Sequence, residues 1–283
     1  MSTDSASQTA APHAAPAPAG PELACLDGVI APSSETKIDV TDEGFLRGDG
    51  VFELVRVYPQ GPFALGEHLD RMELSLAGAH LGFELPRAEL EREVAQLLEQ
   101  RGAAFVGALR LVVTIRGRRL VMTEQLPSAP ERIRLGFVTY APTRVLDGVK
   151  TLSYGANMLA GRLARERGFD EALLVTPHGR VLEAPTSSIF WVGPDGALCT
   201  PPLDEHILAS ITRDALLSLL EVDERACTKD DILAAEEAFI VSTTREVHSV
   251  AAIEEREFAE AGPRTTSAAA ALREHIEGIL AGG

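Results

Sequence analysis

The chain has 283 residues and 30.2 kDa, with 26 Lys+Arg against 42 Asp+Glu, a formal net charge of −16 and an isoelectric point near 4.9. That length accommodates one large or two ordinary domains with a sizeable core. The negative balance argues against nucleic acid or an anionic membrane as a partner, because both are bound by Lys and Arg that neutralise phosphate charge.

Residues 1–22, rich in Ala, Pro and Ser and without an apolar period, predict a disordered tail that lacks the basic start and apolar core of a signal peptide. Residues 24–30 and 37–40 then read as short strands, and 50–58 (GVFELVRVY) alternates with the period of a strand. Helices follow over 67–81, with Leu69, Met72, Leu76 and Ala79 on one stripe, and over 87–101, with Leu90, Val94 and Leu97. Strands at 108–116 and 133–140 complete a mixed α+β first domain over 23–140. Ala141-Pro142-Thr143 opens a linker over 141–147, since proline biases its predecessor away from helix. The second domain, 148–283, reads as helix 157–167, strand 172–176, a turn at 177–180, strand 187–192, helices 211–220 and 230–235, strand 238–242 and a helix from about 267. No window approaches 18 uninterrupted apolar residues, so no membrane partner is expected. The G-D-G at 48–50 lacks the third glycine and helix start of a dinucleotide fingerprint.

Lysine is scarce: Lys37, Lys150 and Lys229 are the three candidates for chemistry that needs a deprotonatable amine. Lys150 lies in the apolar setting G-V-K-T-L, where lost solvation disfavours the charged form, as a Schiff-base amine requires. Glu183 precedes a run of hydroxyls and a very apolar strand, the setting of a carboxylate that could hold a protonated ring nitrogen. Ser210-Ile211-Thr212 lies just before a helix, where N–H groups and the helix dipole favour a phosphate. Ser242-Thr243-Thr244 is a hydroxyl-rich strand end. Arg71 suits bidentate phosphate recognition, and Arg116 to Arg119 form a basic cluster suited to a substrate carboxylate. Cys25, Cys199 and Cys227 are widely spaced and odd in number, which indicates neither disulfides nor a metal site and fits a reducing, cytoplasmic compartment.

Taken in order, these segments resemble the class IV aminotransferases, the fold-type IV pyridoxal-phosphate enzymes that include branched-chain and D-amino acid aminotransferases and 4-amino-4-deoxychorismate lyase. The resemblance rests on D-E-G-F-L-R-G-D-G-V-F-E at 42–53, E-H-L-D-R-M at 67–72, G-V-K-T-L-S-Y-G-A-N at 148–157, L-E-A-P-T-S-S-I-F at 182–190, I-L-A-S-I-T-R at 207–213 and E-A-F-I-V-S-T-T-R-E-V at 237–247. It implies a two-domain α/β fold with pyridoxal 5′-phosphate in the interdomain cleft and a homodimer acting on amino acids and 2-oxo acids. Lys150 would be the Schiff-base lysine and proton shuttle, and Glu183 the partner of the ring nitrogen. Arg71, Ile211, Thr212 and Thr243 would hold the phosphate, with Ser188 and Tyr154 completing the cofactor contacts. Arg47, Arg116, Arg118 and Thr244 would bind the substrate carboxylate. The implied reaction is transamination of a branched-chain or D-amino acid type substrate; the alternative is lyase chemistry on aminodeoxychorismate that releases pyruvate and 4-aminobenzoate. Tyr154 stands four residues after Lys150 where branched-chain enzymes carry tyrosine at five, and the Arg116-Gly117 pair is similar to that of D-amino acid enzymes.

Overall fold

The structure, a computed structural model, describes residues 22–282, so all of the expected tail except Glu22 lies outside it. Two sheets organise the chain. The first comprises β1 (Leu23–Leu26), β2 (Val29–Pro32), β3 (Gly50–Tyr58), β4 (Gly61–Pro62), β5 (Gly107–Thr114) and β6 (Arg119–Glu124), in the order β2-β1-β6-β5-β3-β4 with every pair antiparallel. Helices α1 (Glu43–Arg47), α2 (Leu65–Gly78) and α3 (Arg87–Arg101) accompany it.

Alternation in β3 divides the side chains. Val51, Val55 and Val57 join Leu109, Leu111 and Val113 of β5 in packing against Leu69, Met72 and Leu76 of α2 and Leu90, Val94 and Leu97 of α3. Phe52 and Leu54 point to the opposite face, where they line a cavity. The helix stripe expected from the sequence is therefore the one that is buried, displaced slightly toward the N-terminus by the start of α2 at Leu65.

The second sheet contains ten strands. These are β7 (Ile133–Thr139), β8 (Glu171–Val175), β9 (Arg180–Val181), β10 (Ser188–Val192), β11 (Leu198–Thr200), β12 (Asp223–Glu224), β13 (Cys227–Thr228), β14 (Glu237–Ser242), β15 (Glu246–Ile253) and β16 (Arg256–Glu257). Helices α4 (Gly155–Glu166), α5 (Ile211–Leu219), α6 (Lys229–Leu233) and α7 (Pro263–Gly282) cover it. Every residue of β10 is buried because both faces are packed: Ile189 and Trp191 on one side, Phe190 and Val192 on the other against α5 and α7.

Three sequence expectations are corrected. Residues 24–30 are not one strand but the hairpin β1–β2, reversed at Asp27-Gly28, both of which have positive φ. Residues 37–40 form no strand; Ile38 and Val40 are exposed there and make no ladder. The segment now seen as β7, grouped from the sequence with the elements before the linker, pairs in parallel with β8 and β15 and so belongs to the second sheet. Its partner β15 was not expected at all, because it follows a tight reversal after β14 and is only partly buried at its start.

The G-D-G segment has a packing role. Gly48 adopts φ +71 beneath the backbone of Ser153, and a Cβ on Gly50 would lie 2.6 Å from the Val113 carbonyl and 2.8 Å from Leu152. Gly50→Ala is expected to destabilise the protein by roughly 1–3 kcal/mol, as overpacking does, which a lowered denaturant midpoint at unchanged m-value would register.

Candidate active site

Lys150 is positioned by its main chain. The segment that carries it runs beside the start of β3: Phe52 N–H donates to the Lys150 carbonyl at 3.0 Å, Leu152 N–H donates to the Gly50 carbonyl at 2.9 Å, and Val51 and Thr151 form an isolated antiparallel bridge. On its other side, Lys150 N–H donates to Ser75 Oγ of α2 at 3.1 Å. Both backbone polar groups of the lysine are thereby engaged, and the side chain is aimed across the Phe52 ring, with Nζ 4.6 Å from the ring centroid. Burial lowers its pKa to about 8, outweighing the carboxylates of Glu53 and Glu183 that favour the charged form.

Glu183 lies in an extended stretch whose carbonyl accepts from Leu174 N–H of β8, and its Oε1 accepts from Leu208 N–H at 3.2 Å. Burial raises its pKa to about 7, against the opposing effects of that hydrogen bond and of Lys150. A buried amine and a buried carboxyl with displaced pKa values thus line one cavity. The Tyr154 hydroxyl donates to the Pro185 carbonyl at 2.6 Å, and its ring meets Phe52 edge-on, so the tyrosine is fixed between the lysine and the turn that follows Glu183.

Arg71 is held by a buried carboxylate. Its Nε and Nη2 donate to the two oxygens of Glu53, each at 2.7 Å, and Nη1 donates to the Ala209 carbonyl at 2.9 Å. Burial opposes ionisation of Glu53, but the hydrogen bonds from Arg71 and His68 prevail and hold its pKa near 2. Burial also pushes His68 down, so this ring is best read as a neutral imidazole donating through Nδ1 to Glu53 at 2.7 Å. The Ala209 contact brings the guanidinium to the start of α5. There Ser210 caps the helix, accepting from Arg213 N–H, while the first N–H groups of Ile211 and Thr212 have no acceptor within the helix.

These residues fit a phosphorylated pyridine cofactor. Arg71 retains unused N–H donors, the α5 N-terminus presents its positive dipole end, and Thr212 Oγ1 and Ser188 Oγ are buried with no hydrogen-bond partner among the described residues. Thr243 and Thr244, at the turn after β14, line the same cavity of about 430 Å³ as Arg71, Lys150, Tyr154, Glu183, Ser188 and Ser210. Ile211 and Thr212 lie immediately behind Ser210, at the helix start.

Three sequence candidates are not in this cavity. Arg47 is exposed and paired with Glu43 one helical turn away; Arg118 donates to Asp27 at 2.7 Å on the surface; Arg116 is also exposed. Arg116 and Arg118 lie on the turn between the paired ends of β5 and β6, and Arg47 ends the short helix α1, none of whose residues is buried. The cavity instead receives Arg110 from the middle of β5, paired with Glu124 and lying over Phe52, and Arg245, paired with Glu171 at 3.0 Å. The sequence reading missed Arg110; the signal that marks it is a charge within an otherwise apolar strand, which the register with β3 places on the face of Phe52. Nothing in the local sequence of Glu171 or Arg245 distinguishes them from surface residues.

The chain matches the family model described as amino-transferase class IV over residues 50–253. It is 33% identical over 254 residues to a Methanocaldococcus jannaschii protein described as a branched-chain-amino-acid aminotransferase, covering 82% of this chain and 88% of that protein. It is 30% identical over 275 residues to the D-alanine aminotransferase of Bacillus licheniformis, covering 89% and 96%. Among solved structures, the branched-chain aminotransferase of Thermoproteus uzoniensis with norvaline superposes with a TM-score of 0.79 at 29% identity, over 92% of this chain and 96% of that one. The chain belongs to the class IV aminotransferase family and has its two-sheet, fold-type IV architecture.

Two outcomes check the site. In the cofactor-free protein, acylation of Lys150 should rise with pH to half its maximum near pH 8, because the neutral amine reacts and its population grows above the depressed pKa; mass-spectrometric labelling rates measure this. Glu53→Gln should weaken binding of pyridoxal phosphate by roughly 10- to 100-fold, the scale of a lost charge-assisted hydrogen bond, as measured by equilibrium dialysis.

Proposed function

We propose that this chain is a pyridoxal-phosphate-dependent transaminase that moves an amino group between an amino acid and a 2-oxo acid. The observation that carries this reading is the buried Lys150 amine sharing one cavity with Glu183 and with an Arg71 held at the start of α5. When bound, the cofactor supplies an electron sink for a carbanion at the substrate carbon.

The residues divide the remaining work. Lys150 Nζ, whose lowered pKa of about 8 leaves part of its population neutral near physiological pH, takes a proton from the substrate carbon and returns it on the other side of the exchange. Glu183, oriented by the hydrogen bond from Leu208 N–H, provides the carboxylate partner for a cationic ring nitrogen, whose charge would favour the ionised form that burial disfavours. Arg71, with Ile211, Thr212 and Thr243, binds the phosphate, while Tyr154 and Ser188 bound the ring. Thr244 contributes to substrate carboxylate binding. The relatives named above are a branched-chain and a D-alanine aminotransferase, which supports amino acids of those types as substrates and gives no support to the lyase alternative.

The active form in this proposal is a cytoplasmic homodimer. Support comes from the apolar face left open around α1: Val40, Phe45 and Leu46 are exposed, and none of the α1 residues is buried. Arg47 lies on this face, and the β5–β6 turn that bears Arg116 and Arg118 adjoins it through the Thr114 hydroxyl, which donates to Asp42 at 3.0 Å. Their part in substrate carboxylate binding is therefore exercised across the dimer. No helix among the described residues is long and apolar enough to cross a membrane.

Half-reactions with a panel of L- and D-amino acids test the proposal. Each productive donor should convert the bound cofactor stoichiometrically to its amine form and release the matching 2-oxo acid, and Lys150→Ala should lower the rate by at least about 10³-fold, as loss of a covalent and acid–base group does. Pyruvate release without an amino acceptor would instead identify a lyase.

A further inference from the structure

The loop that precedes α5 serves the cofactor site largely through its main chain. Leu208 N–H holds Glu183, the Ala209 carbonyl fixes Arg71, and Ser210 caps the helix, so three consecutive residues set the carboxylate, the arginine and the phosphate end. Yet from Ile207 to Ala209 no main-chain group bonds to another main-chain group among the described residues. Between this loop and the linker lies a second cavity of about 330 Å³, whose lining includes Asp147, Lys150, Glu183, His206 and Leu208. Close packing therefore does not set the spacing between the loop and the linker.

A side-chain contact sets it instead. His206 Nδ1 lies 2.6 Å from Asp147 Oδ2, which joins the start of the loop to the last residue of the linker. Each partner has an anchored neighbour: Ile207 is buried with Leu174 and Leu182 of the second domain, and Val149 is buried in the core of the first sheet. The pair thus ties a segment seated in one core to a segment seated in another, just ahead of Leu208 and of Lys150. His206 adopts φ 65 and ψ 34, a left-handed conformation that is costly for a residue with a Cβ and persists where surrounding contacts over-determine it. The ring donates through Nδ1 whether neutral or charged, so the contact needs no particular pH. The other ion-pair partner of Asp147 among the described residues is Arg144, at 3.7 Å and exposed, where solvent screens it.

We propose that His206 and Asp147 are positioning residues of the cofactor site, their contact holding residues 206–210 against the lysine-bearing segment so that Glu183 and Arg71 stand in place for pyridoxal phosphate. This deepens the transaminase reading and rests on it for the use of the cofactor. Neither residue lines the cavity that contains Arg71 and Ser210. They act through the main chain, the histidine through Leu208 and Ala209 and the aspartate through the segment that ends at Lys150. Without the pair, the main chain of the loop is tied to the site by the very groups it positions, and Lys150, which lines the second cavity, gains access to water.

The test compares wild type with His206→Gly, His206→Asn, Asp147→Ala, the double variant that combines His206→Gly with Asp147→Ala, and the surface control Arg144→Gln. Equilibrium dialysis reads pyridoxal phosphate binding, and in the cofactor-free protein the pH midpoint of Lys150 acylation reads water at the amine. Glycine suits the left-handed backbone and the pair is partly exposed, so His206→Gly should leave the denaturant midpoint near that of wild type. Its affinity for pyridoxal phosphate should nevertheless fall about 10-fold, the scale of a charge-assisted hydrogen bond. Asparagine tolerates the same backbone and carries an amide nitrogen as many bonds from Cα as Nδ1, so His206→Asn should keep the affinity within about 3-fold. Asp147→Ala and the double variant should lose no more than His206→Gly, as members of one pair do. In His206→Gly the acylation midpoint should move up toward the ordinary lysine range, because water relieves the desolvation that lowers it. Arg144→Gln should change neither reading. Unchanged affinity or an unmoved midpoint in His206→Gly, losses that add in the double variant, no rescue by asparagine, or an equal loss in Arg144→Gln would each overturn the pair. A wild type that binds no pyridoxal phosphate would count against the transaminase reading instead, and the acylation midpoint, read without cofactor, would still decide the pair.

Discussion

The site depends on the main-chain pairing of the Lys150 segment with the first residues of β3. Two hydrogen bonds, from Phe52 N–H and from Leu152 N–H, attach the lysine of the second half of the chain to a strand of the first sheet. The pairing occupies what would otherwise be a free edge at the start of β3, since β4 covers only the far end of that strand. Close approach is possible because Gly48 and Gly50 present no side chain to Leu152 and Ser153. The G-D-G segment resembles a fragment of a nucleotide-binding loop, yet its physical use is steric: it lets the lysine-bearing strand lie against the sheet. The cavity forms where the two sheets meet around this join, and the amine is buried because Phe52 and Tyr154 close over it.

A second constraint acts through charge. Arg71 would be a flexible surface side chain on α2 if its guanidinium were not clamped by Glu53, which alternation in β3 turns toward the helix. The clamp commits two N–H groups of the arginine to a carboxylate already ionised and buried, and the Ala209 carbonyl fixes a third. What remains is an oriented cation beside the first turn of α5. Neutral His68 completes the arrangement by donating to the same carboxylate without adding charge. Stability and function are joined here, because the groups that satisfy the buried Glu53 are also those that position the phosphate-binding arginine.

The balance of charges also explains how an acidic protein can serve anionic ligands. The net charge of −16 is spread over an exterior where most arginines are paired with Asp or Glu. Inside the cavity the sign is reversed, with five cationic side chains against three acidic ones among the described residues, and there the lower effective dielectric makes each unpaired charge count for more than one on the surface.

Much of this was legible in the sequence by itself. Lys150 and Glu183 stood out because their neighbours are apolar, and burial is what displaces their pKa values. The paired helices, the alternation of β3 and the apolar run Ile189–Val192 of β10 follow from local sequence pattern, which side-chain direction in helices and strands enforces. The family resemblance was legible too, since it rests on residue order alone. Other features were decided by tertiary structure. The assignment of β7 to the second sheet depends on hydrogen bonds to β8 and to β15, a strand more than a hundred residues distant, which no local pattern encodes. Arg47, Arg116 and Arg118 have the residue type that a carboxylate site needs, but a turn and a short helix carry them outside the cavity of their own chain. Arg110, Arg165 and Arg245 enter it because strands and a helix distant in sequence converge there. A sequence specifies which groups can ionise and which faces will be buried; which ionisable groups meet is set by long-range packing, because Coulombic and hydrogen-bond interactions depend on distances of a few ångströms that only the assembled sheets define.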